Sequence, residues 1–159
     1  MSKPKYLYHG SGRKLVGNKL IPKKAEDLGG NKDNSLNGVY ASSVKEQAIS
    51  MALHSSRGVG EGSLQMHRID GKLKIKDSII YKGWPNQRYV YLYTMESKTF
   101  RNIPNGSPQW ISLKSVQPIK IEKLPVNDYI YLVRKATSKE RKEFFKEIKN
   151  SRVNKLQNH

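Results

Sequence analysis

The chain has 159 residues, 36% of them apolar and 27% charged, with 30 Lys and Arg against 13 Asp and Glu for a formal charge of +17. That length suits one domain with a real core and is short for two of ordinary size. No run approaches the roughly 18 apolar residues that a membrane span needs. Cysteine is absent, so a disulfide framework, a thiol nucleophile and a thiolate zinc site are all excluded; the four histidines show no ligand spacing, and no metal is expected. Met1-Ser2-Lys3-Pro4-Lys5 carries no apolar signal core, which makes the cytoplasm the expected location. The positive excess favours a polyanion as partner through counterion release, with nucleic acid ahead of an acidic protein surface or a membrane.

In chain order, Tyr6-Leu7-Tyr8-His9 suits a strand, ended by Gly10, Ser11 and Gly12, where main chain can approach a ligand closely. Leu15, Leu20 and Ile21 predict a short second strand over 14–21, stopped by Pro22. The turn-rich stretch 23–38 predicts a loop with at most one helical turn, placed to close over a ligand. Gly38-Val39-Tyr40-Ala41-Ser42 is the next strand. Ser42 or Ser43 then caps a helix over 44–54, with Val44, Ala48, Met51 and Ala52 on its apolar face and Glu46 in its first turn. Residues 57–62 form a glycine-rich connector, followed by strands over 63–69 and 72–80 around an Asp70-Gly71 turn. Tyr89 to Thr94 is the strongest strand, with Tyr89, Tyr91 and Tyr93 on one face and Val90 and Leu92 on the other. Further strands are expected over 100–103, 109–112, 119–124 and 129–133.

From Thr137 the character changes. Thr137 or Ser138 caps a helix holding Phe144, Phe145 and Ile148 among charges, and 150–159 is expected to fray. Lys139, Arg141, Lys142, Lys146, Lys149 and Arg152 offer a surface that would track phosphates; the alternative is a solvated face anchored by the apolar residues. The expected architecture is α+β: a single domain over 1–159, with the core at 5–133 and the basic helix and tail at 137–159.

Three segments, Tyr6-Leu7-Tyr8-His9-Gly10-Ser11, Gly38-Val39-Tyr40-Ala41-Ser42 and Pro108-Gln109-Trp110-Ile111-Ser112, come in this order with the helix after the second. Together they resemble ADP-ribosyltransferases of the diphtheria-toxin and PARP-like branch, which carry a His, Tyr, Glu triad. The resemblance implies two packed antiparallel or mixed sheets (a split core) and NAD as co-substrate. It implies that His9 bonds the ribose beside nicotinamide, that Gly10 offers main chain to the carboxamide, and that Tyr40 stacks on the pyridine ring. Ser11, Ala41, Ser42 and Arg13 or Lys14 would lie around the remaining ribose and the pyrophosphate. Where that family carries glutamate, this chain has Gln109, which can bond a hydroxyl but cannot take a proton or balance positive charge. Glu61 and Glu122 are spare carboxylates that do not sit in the motif, and no Glu-x-Glu of the arginine-specific branch occurs.

Resemblance and charge together imply transfer of ADP-ribose to RNA or DNA by a toxin-like enzyme restrained by an antitoxin or other inhibitor protein. Two alternatives stand beside it: transfer to protein side chains, and a non-catalytic domain that binds nucleic acid. For Tyr40 itself, one of nine tyrosines, the other role is packing.

Overall fold

A computed structural model describes residues 3–17, 19–24 and 36–157. Ten strands and three helices are present among them: β1 (Tyr6–Ser11), β2 (Lys23–Lys24), β3 (Asn37–Ser42), α1 (Lys45–His54), β4 (Val59–Ile69), β5 (Lys72–Gly83), β6 (Tyr89–Glu96), β7 (Phe100–Asn102), β8 (Gln109–Ser112), β9 (Lys120–Pro125), α2 (Val126–Tyr129), β10 (Arg134–Lys135) and α3 (Ser138–Gln157). The fold is mixed α and β.

The larger sheet runs β7-β8-β3-β1-β6-β9, every pair antiparallel, with β2 added on β3. The smaller runs β10-β5-β4, with β10 parallel to β5. α1 joins the two: Ala48, Ile49, Ala52 and Leu53 share a buried cluster with Val90 and Leu92 of β6 and Ile80 of β5. The other face of the larger sheet has its own cluster, in which Leu7, Val39, Ala41, Tyr93, Met95 and Phe100 meet. β6 is therefore buried on both faces from Leu92 to Met95, which its tyrosine alternation alone does not reveal.

The hairpin of β4 and β5 turns where expected, with Asp70 at φ 51° and Gly71 at φ 76°, the left-handed pair that matches strand twist. Both strands outrun their predicted bounds, and β4 takes over most of the predicted glycine connector.

Several expectations are corrected. β1 does not stop at His9 but continues through Gly10 to Ser11, because Gly10 and Ser11 still pair with Leu92 and Tyr91. Among the described residues of 14–21 no strand forms: Leu20 makes one isolated bridge, to Val116, and Val16 and Gly17 lie in a bend. Of the predicted loop, 23–24 is strand β2, and 25–35 lies outside the described residues. Neither Ser42 nor Ser43 is the N-cap of α1. That position is Val44, and Ser42 Oγ instead accepts the Val44 N–H at 2.9 Å and donates to Gln47 Oε1 at 2.6 Å. Met51 is only half-buried, since the helix turns Ile49 and Leu53 inward. Tyr129 to Val133 is not a strand but the end of α2 and a 3-10 turn over Ile130–Leu132. A short apolar run is compatible with either state, and Val126, buried beside Val133, fixes the helical one.

α3 keeps its helical backbone through Gln157, past the point at which fraying is expected. Its start is a reciprocal capping box: Thr137 Oγ1 accepts the Glu140 N–H at 3.1 Å, and a Glu140 carboxylate oxygen accepts the Thr137 N–H at 2.9 Å. Arg134 clasps both Glu140 and Asp77 of β5. Hydrogen bonds from Arg134 and from the Thr137 main chain hold the Glu140 carboxyl down to about 2. Thr137→Ala is expected to cost about 1 kcal/mol, read as a lowered midpoint in urea with unchanged m-value. Among the described residues no helix is long and apolar enough to cross a membrane.

Candidate active site

The three motif strands lie side by side in the order β8, β3, β1. Ser42 is opposite Gln109 on one side and Tyr8 on the other, while Tyr40 is opposite Ile111. Opposed residues of an antiparallel pair share a face. Tyr8, Tyr40, Ser42 and Gln109 therefore share one face, that of α1, and His9 shares the other with Leu7, Ala41 and Tyr93.

β1 and β3 meet only at Tyr8 and Ser42 and then diverge. His9 fills the gap: its Nδ1 lies 2.7 Å from the carbonyl oxygen of Tyr40. A carbonyl only accepts, so Nδ1 carries the proton. Burial lowers the pKa of His9, the carbonyl opposes this, and the charge of Lys23 adds to the lowering. The ring is thus neutral at pH 7 with its proton fixed on Nδ1, which leaves Nε2 a lone pair able to accept a hydroxyl proton. The Tyr93 ring lies 6.1 Å away, tilted by 57°, with its hydroxyl accepting the Leu15 N–H at 2.9 Å.

The structure joins His9 to the main chain of Tyr40 and not to its phenol. The Tyr40 hydroxyl donates to the Leu36 carbonyl at 2.5 Å, and burial raises its pKa. Gln109 is half-buried, and its side-chain amide donates to the Ile103 carbonyl at 2.8 Å. Ser11 Oγ accepts the Arg13 N–H at 3.2 Å, and Ala41 is buried in the core cluster opposite Trp110. Gly10 packs against α1 so closely that a Cβ there would meet the Ala48 carbonyl oxygen at 1.7 Å. Neither spare carboxylate stands near Gln109: Glu122 is on β9 at the far edge of the larger sheet, and Glu61 is opposite Lys82 in the smaller one.

The cations Lys139, Arg141, Lys142, Lys146, Lys149 and Arg152 are all exposed on α3, which is anchored to β5 by Phe144 stacked on Tyr81 at 4.0 Å. Both readings of that helix, a packed face and a basic face, describe the same element.

Two arrangements went unnoticed in the sequence. Gln87 clasps three segments: its Nε2 donates to the carbonyls of Gly12 (2.5 Å) and Tyr89 (2.6 Å), and its Oε1 accepts the Arg57 N–H (2.7 Å). Beside it opens a cavity of about 660 Å³ bordered by Arg13, Lys14, Arg57 and Arg88. Second, His54 is buried between α1 and the smaller sheet. Its Nε2 lies 2.7 Å from Ser78 Oγ, which is 2.6 Å from Ser50 Oγ, while its Nδ1 is buried without a partner. Burial takes the pKa of His54 from 6.5 to about 4. The only sequence signal for either was Gly62, bare because the His54 ring covers it: a Cβ there would stand 2.2 Å from Nδ1.

Among the described residues no group of three or more His, Asp or Glu is gathered to hold a metal. No family model, no curated protein and no solved structure matches the chain.

Proposed function

We propose that the protein transfers ADP-ribose from NAD to a nucleic-acid acceptor, with its centre where β8, β3 and β1 adjoin. The observation that carries this reading is the neutral His9, locked by the Tyr40 carbonyl so that Nε2 is left to accept a ribose hydroxyl. NAD supplies the chemistry: the bond from C1′ to nicotinamide breaks with its electron pair leaving on the pyridine nitrogen, and an acceptor oxygen or nitrogen bonds C1′ and loses a proton. His9 orients the sugar, while the Tyr40 ring, half-buried on β3, offers its flat apolar surface from the opposite face, so both touch one NAD only if it enters the gap where β1 and β3 part. Gln109, one strand further along, bonds hydroxyls and supplies no charge for the cationic sugar. The charge of +17 favours RNA or DNA as acceptor, and restraint of such an enzyme inside a cell calls for an inhibitor protein as partner.

The second reading is a nucleic-acid-binding domain without catalysis. It is favoured by the missing carboxylate and by the pleat, which sends the His9 and Tyr40 side chains to opposite faces of the sheet.

The test is nicotinamide release from NAD by the chain as it stands and by Gln109→Glu. The new carboxylate loses the amide bond to Ile103 and is repelled by that carbonyl, at a stability cost of about 1–2 kcal/mol. Release is expected to rise roughly 100-fold, the scale on which preorganised groups stabilise developing charge. If neither form releases nicotinamide with RNA, DNA or protein as acceptor, the enzyme reading fails; if salt-sensitive binding of RNA or DNA persists, the binding reading takes its place.

A further inference from the structure

We infer that the groove at the end of β1, and not α3, is where this protein holds single-stranded nucleic acid. Four exposed cations, Arg13, Lys14, Arg57 and Arg88, border a space of about 660 Å³, and among the described residues no carboxylate lines it. None of the four forms an ion pair among the described residues. The wall between them is aromatic: Tyr89 and Tyr91 line the same space, and Lys123 lies 4.1 Å from the Tyr89 ring centre, adding a fifth cation at the rim. Cations that follow a backbone, next to aromatic faces on which unpaired bases stack, make the composition of a single-strand site.

The groove is also preformed. The Gln87 clasp ties Gly12, Arg57 and Tyr89 together. The Gly12 N–H donates to Ser55 Oγ at 2.9 Å, and the Leu15 N–H to the Tyr93 hydroxyl at 2.9 Å, so the segment bearing Arg13 and Lys14 is pinned at both ends. Little ordering is left to oppose binding. α3 compares poorly: Glu140, Glu143 and Glu147 are interleaved with its cations, which lowers its local potential. The groove also continues from the candidate active site. Ser11 is opposite Tyr91 and His9 opposite Tyr93, so His9 and the two groove tyrosines share one face of the sheet. A strand lying in the groove would reach toward His9.

The inference rests on the proposed acceptor class for its role in transfer, but binding is measured without NAD and so stands or falls separately from nicotinamide release. Fluorescently labelled 12-nucleotide single-stranded RNA, single-stranded DNA and duplex DNA of one mixed sequence are titrated with the protein, following anisotropy between 50 and 200 mM salt. Single strands are expected to bind tighter than duplex, with log K falling against log salt at a slope of about −3 for four neutralised phosphates. Arg57→Glu with Arg88→Glu is expected to weaken single-strand binding at least tenfold, and Arg13→Gln with Lys14→Gln several-fold. The milder pair removes no side-chain contact of the clasp and serves if charge reversal disturbs folding. Lys142→Glu with Lys146→Glu on α3 should change affinity less than threefold. Equal or stronger loss from the α3 pair overturns the assignment, as does duplex binding as tight as single strands. Displacement of the oligonucleotide by 1 mM NAD overturns it as well, since the groove would then be a dinucleotide pocket.

Discussion

Gly10→Ala should unfold the protein or leave it at the edge of stability, with a loss of about 4 kcal/mol or more by urea denaturation. The added methyl would stand 1.7 Å from the Ala48 carbonyl oxygen, 2.7 Å from its carbon and 3.0 Å from the Ala52 side chain. The first two are helix backbone, which cannot rotate aside, so α1 must lift off β1 as a unit. That helix brings Ala48, Ile49, Ala52 and Leu53 into the cluster joining the two sheets, so a shift there opens the centre of the molecule. Gly71→Ala is the matched control, because a Cβ there meets nothing within 4 Å and the cost is confined to its φ of 76°. A Gly10→Ala protein with unchanged stability would remove the packing reason for this glycine and return it to ligand contact alone.

Acid should cost the folded state about 3 kcal/mol through His54. The pKa of His54 is about 4 in the folded chain against an ordinary 6.5, so between those values the unfolded chain holds a proton that the folded chain refuses. Falling pH therefore drains stability from about 6.5 downward and completes the loss near 4; the 2.5-unit gap at 1.36 kcal/mol per unit sets the size. Above pH 7 this residue contributes no slope. His9 is shifted in the same direction by its own burial, so the measurement is a difference. Urea melts of the unaltered chain and of His54→Gln, which keeps a polar group for Ser78, should converge toward pH 4 as the unaltered chain loses its lead. Parallel curves from pH 7 to 4 would refute a neutral buried imidazole.

Elements whose signal is local were legible in the sequence. The Asp70-Gly71 pair announces the hairpin because two left-handed residues in succession suit little else, and Tyr89 to Thr94 announces β6 through its β-branched and aromatic run. The stretch 129–133 misled because Val133 is buried in the cluster that holds Val126, with Tyr129, Ile130 and Leu132 packed partly against it, contacts no local pattern records. Of the two caps expected for α3, Thr137 or Ser138, the structure uses Thr137, whose reciprocal bond with Glu140 three residues on is an equally local pattern.

Of the candidate site, both the adjacency of the three motif strands, which are not consecutive in the chain, and the face on which each side chain emerges depend on pairing that only the fold supplies. The basic groove was hidden more completely. Arg13, Arg57 and Arg88 are more than 30 residues apart from one to the next, and a single glutamine brings their segments together.

The imidazole of His9 stands in the larger sheet where a main-chain rung would otherwise be. With one residue pair, Tyr8 and Ser42, and one side-chain bond holding β1 to β3, the sheet is two half-sheets, β7-β8-β3 and β1-β6-β9, sewn by a short seam. Parting that seam breaks few bonds, whereas parting β1 from β6 breaks a ladder of six pairs. Amide protons along the facing edges of β1 and β3 should thus be the first of the strand interior to trade for deuterium, and a molecule lodged between the half-sheets should slow that trade on both edges at once.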